Sequence, residues 1–275
     1  MSAQQNKPGI VVAGVSGRMG RMLVQAVLDS PDCRLAGALV AMTLPAVADI
    51  CDTRDFEGTR YSVCTIAADR QDGLRLWLNG PDGKPLGDFS GVRGTLGAGE
   101  VLGFAMNAGM YHPDYAPVGL FRSDTEQAGE VVTAGGGGNF GLLPNGVFCV
   151  GAKAPFQVIE SRRFARVQPQ CRLATQSGPL LVIDGDLHPR FLVDSDSRYV
   201  RNGVGVSPDG QTAWFAISDR AVTFHEFGRL FRDGLGVRDA LYFDGSISRL
   251  YAPGVNRADF GRSLGPIIGL VDSAG

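Results

Sequence analysis

Residues 239–248 read Asp-Ala-Leu-Tyr-Phe-Asp-Gly-Ser-Ile-Ser. An apolar run ends at Phe243, and the chain turns polar at Asp244 beside a glycine. This is the pattern of a buried strand, Asp239 to Phe243, that delivers a carboxylate to a sheet edge. Gly245 would let a ligand approach bare amides there. Just upstream, Thr223 and Glu226 form a capping box, and Phe224, Phe227, Leu230, Phe231 and Leu235 follow at three- and four-residue spacing. Gly236 supplies the stop. The spacing predicts one helix over 224–235 and gives Glu226 a structural role.

Moving outward, the chain is mostly short strands and turns. Arg60–Ile66 alternates, Leu74–Leu78 and Val101–Met106 read as strands, and Leu180–Ile183 ends in an Asp-Gly turn. Arg201–Val206 and Thr212–Ile217 read as a hairpin across Ser207-Pro-Asp-Gly210. Glycine fits this reading: 39 of 275 residues, roughly twice ordinary usage. The expected fold class is α+β, a strand-rich mixed-sheet domain over 49–275. One device recurs, a polar residue beside glycine at a strand end: Asn107-Ala-Gly109, Asn145-Gly146, Ser177-Gly178, Arg201-Asn202-Gly203 and Asp244-Gly245. We expect these junctions to converge on one site.

Charge and length exclude some classes. Lys+Arg 26 against Asp+Glu 28 leaves a net charge of −2, with no basic surplus to neutralise a nucleic-acid backbone. No apolar run reaches the ~20 residues of a membrane-spanning helix. Of the five cysteines (33, 51, 64, 149, 171), Cys51 and Cys64 flank the turn Phe56-Glu-Gly58. They are expected to bridge in an oxidising compartment. An odd count leaves at least one unpaired within the chain. No CxxC occurs, so there is no zinc signature. Asp184, Asp186, Asp194 and Asp196 invite calcium. They lack the loop glycine and terminal glutamate of an EF-hand, and a solvated turn is the reading preferred.

The first 48 residues differ in character. Gly9–Val15 reads as a strand, Gly14-Val-Ser-Gly17-Arg18-Met19-Gly20 as a glycine turn opening a helix, and Arg34–Val40 as a second strand. Ile10–Val40 resembles the first βαβ portion of the dihydrodipicolinate reductase family. The resemblance implies NAD(P)H bound at Gly14, Gly17, Arg18, Met19 and Gly20, where a helix N-terminus meets a pyrophosphate. It then stops. No acid for the ribose precedes Asp49, and His112, His188 and His225 are never adjacent, whereas that family has a His-His-x-x-Lys motif. Residues 1–48 are thus read as a partial Rossmann-like extension. Leu35–Ala48, ending Ala46-Val-Ala48, reads equally as the remnant of an export signal or as a buried strand plus loop.

A second resemblance covers about 51–272. Asn107-Ala-Gly-Met-Tyr-His-Pro-Asp114, Leu143-Pro-Asn-Gly-Val-Phe148, Thr175-Gln-Ser-Gly-Pro-Leu-Leu-Val182, Arg201-Asn-Gly-Val-Gly205 and Tyr242-Phe-Asp-Gly-Ser-Ile-Ser248 resemble, in order, segments of the phosphodiester glycosidase family. Its animal member is the mannose 6-phosphate uncovering enzyme. That enzyme has a Gly-Gly pair at Ser246-Ile247. The resemblance implies hydrolysis of a sugar 1-phosphodiester in envelope or exopolysaccharide material, by a periplasmic or exported protein. If the N-terminal segment is native, the cytoplasm is expected instead.

Breaking a sugar C1–O bond passes through an oxocarbenium-like state that needs a carboxylate. Asp244 is the first candidate and Asp114 the second. Arg201 is expected to grip the leaving phosphate. Asn107, Asn145 and Ser248 are expected to meet sugar hydroxyls, Ser177 and Gly178 the phosphate, and His112 the mouth. The matching segments add Gly109, Thr175, Gln176, Asn202 and Gly245 as substrate-binding. No cofactor is expected on this reading. Two rivals remain: an NAD(P)H-dependent reductase, and a non-catalytic sugar-phosphate binding module.

Overall fold

The computed structural model describes residues 9–13, 18–32, 34–39, 50–151, 153–244 and 247–273. Gly14, Gly17, Cys33 and Gly245, and all but 35–39 of the 35–48 stretch, lie outside them. The chain divides into two compact units, Met1–Ala46 with Gly275, and Val47–Ala274.

In the first unit, strands Gly9–Ala13 and Arg34–Leu39 pair in parallel across the helix Arg18–Asp29. The helix ends ahead of Pro31, whose ring disfavours helical backbone in the residue before it. Met22, Leu23 and Leu28 are exposed. Two strands and one helix offer too little surface to cover both faces of a parallel sheet.

The second unit holds three antiparallel sheets. The largest runs in the order Asp186–Leu187, Leu180–Ile183, Asp239–Tyr242, Asn202–Val206, Thr212–Ser218, Thr59–Ala67, Cys51–Phe56. A five-stranded sheet is ordered Phe156–Glu160, Gly146–Val150, Leu173–Ser177, Phe121–Arg122, Gln127–Ala128. The other is Arg257–Ala258, Leu250–Ala252, Glu100–Asn107, Ile267–Ser273, Leu74–Trp77. The main core gathers side chains from all three: Phe104, Phe148 and Phe243 each contact the ring of Phe215.

The capping box at Thr223 and Glu226 forms as the spacing requires, with both reciprocal bonds present. The helix Phe224–Arg229 runs on into a wider turn over Leu230–Gly234, and Gly236 follows at φ +66°. Its apolar face covers Tyr61, Val63, Leu181 and Tyr242 of the largest sheet. Gly205 permits this, since a Cβ there would lie 2.6 Å from the Phe231 ring. Cys51 and Cys64 are direct cross-strand partners and form a disulfide. A second disulfide, absent from the sequence reading, joins Cys149 to Cys171. The four aspartates considered for calcium gather no group of metal ligands among the described residues. Asp184 instead pairs with Arg238.

Candidate functional site

All three sheets send strand ends to one place. Asn107 closes its strand, Ser177 closes another, Asn202 opens a third, Asn145 precedes Gly146, and Asp244 lies two residues past Tyr242. Hydrogen bonds fasten these ends together. The Asn107 Nδ2 donates to Asn202 Oδ1 (3.1 Å), and Asn202 Nδ2 donates to the Asn107 carbonyl (2.8 Å). Ser248 Oγ reaches both Asn202 Oδ1 (3.1 Å) and the Asp244 carbonyl (2.8 Å). This ties Ser248 to the Asp244 backbone and fixes where the Asp244 side chain starts. Asn107 Oδ1 accepts the Arg249 backbone N–H (2.9 Å). Asn107, Asn202 and Ser248 are therefore brought together with Asp244, which is half-buried.

The other candidates divide. Thr175 Oγ1 accepts the Gly109 N–H (3.1 Å), and a Cβ on Gly109 would stand 2.6 Å from that oxygen. Both residues join two sheets. Gln176 is buried and binds Leu120, Val132 and Ser161 with its carboxamide. Ser177 Oγ donates to the Phe243 carbonyl. The expectations that Gln176 and Ser177 offer side chains to substrate are corrected: their polar atoms are engaged inside the protein. Gly178 packs on Asn145, 2.6 Å from a would-be Cβ to the Asn145 Cβ. Asn145 is fully buried; its Nδ2 donates to the Phe140 carbonyl and its Oδ1 has no partner. His112 and Asp114 stand on an exposed hairpin tip, where Asp114 accepts the Ala116 N–H (3.1 Å). No contact ties them to the network.

Arg201 requires the largest correction. It is fully buried, donating to the carbonyls of Val222 (2.8 Å) and Ser197 (3.0 Å) and to the Tyr242 hydroxyl (3.3 Å). Its guanidinium carbon lies 3.7 Å from the Phe224 ring centre, with Tyr242 at 5.4 Å and Tyr199 at 5.5 Å. Burial pulls its pKa down, and Tyr242 opposes this. Phosphate cannot reach a guanidinium enclosed in this way. The charge is held by ring faces and carbonyls instead.

Three residues escaped the sequence reading. Tyr111 sits inside the Asn107–Asp114 segment, and its hydroxyl donates to the Ser263 carbonyl (2.8 Å). Burial first, and then the Asp244 charge, push that phenol up to about 12. Tyr242 is likewise raised, chiefly by burial. Arg249 follows Ser248 directly and is only 5% exposed, although an arginine at that position reads as surface. A cleft of about 520 Å³ lies near the opposite ends of the central strands, lined by Phe156, Arg163, Val206 and Asp239. None of the network residues lines it.

Comparison with known proteins decides the family. The phosphodiester glycosidase family model matches residues 101–271, which includes Asn107, Asn145, Asn202, Asp244 and Ser248. The chain belongs to the phosphodiester glycosidase family. Members are glycosidase-type hydrolases of phosphodiester-linked sugars. The chain is 31% identical to the Escherichia coli protein YigE over 182 residues, 66% of this chain and 70% of that one. The catalytic domain of zebrafish N-acetylglucosamine-1-phosphodiester alpha-N-acetylglucosaminidase has the same fold, with a TM-score of 0.57. That match has 14% identity and covers 82% of this chain and 84% of that one.

A second family model, the dihydrodipicolinate reductase N-terminus, matches residues 9–67. The 4-hydroxy-tetrahydrodipicolinate reductase of Cupriavidus taiwanensis is 31% identical over 191 residues, 68% of this chain, which spans 60% of that enzyme. A nicotinamide does not fit the residues described. Parallel pairing among them is confined to Gly9–Ala13 with Arg34–Leu39, so there is no second strand–helix pair to close a crevice. Cys51–Phe56 and Thr59–Ala67 form an antiparallel hairpin instead.

Proposed function

We propose that the protein cleaves the bond between a sugar's anomeric carbon and the oxygen of a phosphodiester, releasing sugar and a phosphate monoester. The observation that carries this reading is Asp244: a half-buried carboxylate whose backbone carbonyl is held by Ser248, which also bonds Asn202 and through it reaches Asn107. Such a group is rigidly placed, yet open to a ligand. As the C1–O bond breaks, its electron pair passes to the phosphoryl oxygen and positive charge grows at C1, which Asp244 stabilises. Water supplies hydroxyl to C1, and its proton passes to Asp244 and on to solvent. Asn145 Oδ1, buried and unpartnered, is suited to accept a sugar hydroxyl proton. Asn107 contributes one remaining amide proton, while Asn202 and Ser248 hold the frame.

On this reading residues 49–275 are the catalytic domain and the first 48 take no part. Two disulfides support an oxidising, exported setting, and envelope or exopolysaccharide glycosyl phosphates are the proposed substrates. Among the described residues no helix is long and apolar enough to cross a membrane.

The test is sugar release from a panel of sugar 1-phosphodiesters, beginning with N-acetylglucosamine. Asp244→Asn should lower turnover at least ~100-fold in folded protein, in line with losing charge stabilisation at a reacting centre. Folded wild-type protein that releases no sugar, and whose ligand protection ignores Asp244→Asn, would establish the binding module instead.

A further inference from the structure

The molecule has a second buried arginine beside the network, and its surroundings are unfinished. Arg249 is 5% exposed, its Nε–H has no acceptor, and its Nη2 makes one long bond to the Gly87 carbonyl (3.3 Å). Phe89 lies 5.6 Å from the guanidinium carbon. Among the described residues no carboxylate touches it as an ion pair, and the charges that act on it from a distance are those of Asp88 and Asp259. These charges and the Phe89 ring offset part of the cost of burying the cation, and a further acceptor or anion at the unmet Nε–H would recover more of it. Its own backbone N–H is fastened to Asn107 Oδ1, so the side chain cannot drift from the site.

The turn Gly261-Arg262-Ser263 lies against it. Arg249 Nη1 is 3.9 Å from where a Cβ on Gly261 would stand, and Tyr111 bonds the Ser263 carbonyl in the same turn. Gly265 admits the Tyr111 ring, which a side chain there would strike. Arg262 is exposed and has no ion pair or hydrogen bond among the described residues. The Tyr111 phenol registers this layout: Asp244 raises its pKa, and Arg249 and Arg262 lower it.

The geometry points to Arg249 and Arg262, gathered about Tyr111, as the seat of the substrate's phosphoryl group next to Asp244. This rests on the proposed activity for the identity of the substrate, and it moves the phosphate role from Arg201 to residues nothing else assigns. When the C1–O bond breaks and its electron pair moves to the phosphoryl oxygen, two guanidiniums receive the added charge with charge-assisted hydrogen bonds. Such a seat favours an anionic diester over a neutral glycoside of the same sugar.

The test separates binding from turnover. Inorganic phosphate should bind the wild-type protein in calorimetry and raise its melting temperature beyond the effect of chloride at equal ionic strength. Arg262→Gln, on an exposed turn that folds without it, should weaken phosphate about fivefold, and Arg249→Gln about tenfold or more, as expected for charged hydrogen bonds. Both should raise KM for a sugar 1-phosphodiester more than they lower kcat. Unaltered phosphate affinity and KM in Arg262→Gln would overturn the inference even where sugar is released. Arginine-dependent phosphate binding without sugar release would uphold the seat and remove the activity. A wild-type protein that binds no phosphate overturns the seat outright.

Discussion

Arg201 and Arg249 are both buried, both lie against a phenylalanine, and neither makes a direct ion pair with a carboxylate among the described residues. Around Arg201 the protein supplies two carbonyls, a hydroxyl and three aromatic faces. Around Arg249 it supplies one long bond and leaves Nε unmet. The contrast teaches a way to separate scaffold from site where charge alone does not. A buried donor whose partners are complete holds structure, and one left incomplete is poised for something that arrives later.

Stability measurements can break or sharpen that contrast. Arg201→Met should have the largest effect. It strips the donor from the Ser197 carbonyl and the Tyr242 hydroxyl, at about 1–3 kcal/mol for each buried acceptor, so urea unfolding should show a loss of ~3 kcal/mol. If Arg201→Met instead folds like the wild type and loses only phosphodiester affinity, the two arginines have exchanged roles.

Next comes pH. His188 is buried, with Nε2 on the Leu143 carbonyl and Nδ1 accepting the Arg190 N–H, and burial chiefly lowers its pKa. A depressed folded pKa means the unfolded chain takes up the proton first. Stability is therefore full above the ordinary histidine value near ~6.5. It should fall as pH drops through the folded value, by no more than ~1.4 kcal/mol per pH unit. Denaturant midpoints between pH 8 and 5 should show this slope, and His188→Gln should remove it. An unchanged slope in that variant would assign the effect elsewhere.

Thr223→Ala removes the helix cap that orients Phe224 beneath Arg201. It should cost about 1 kcal/mol by the same unfolding assay, with no change in KM. The smallest stability effect is expected from Asn145→Ala. Losing the bond to Phe140 is offset by removing an unmet Oδ1, so the midpoint should hardly move while sugar release falls about tenfold. A large loss of stability there would return Asn145 to the scaffold.

What the sequence discloses follows the range of the physics. The strand before Asp244, the capping box and the Cys51–Cys64 hairpin are local arrangements, set within about a dozen residues of chain. The convergence of Asn107, Asn202 and Asp244 is not local, yet it was legible because each stands at a strand end next to or near a glycine, whereas Ser248 was reached only through the matching segment Tyr242–Ser248. Cys149–Cys171 escaped because a strand and a helix, Phe156–Glu160 and Ser161–Val167, intervene between its ends. Arg201 was misread for a related reason. Its rings come from Tyr199, Phe224 and Tyr242, and nothing in the local sequence announces that they enclose it. Tyr111 and Arg249 were passed over because their value lies in the Gly261–Ser263 turn, some 150 residues from the first and a dozen from the second.

Gln176 carries one more implication. Its amide receives the Leu120 and Val132 N–H groups and donates to the Val132 carbonyl and Ser161 Oγ. Three separate stretches of chain are tied to a single side chain, with Gly119 fitted against it. A change that moves any one of those stretches must break a hydrogen bond to the amide common to all three, so the buried carboxamide couples their positions.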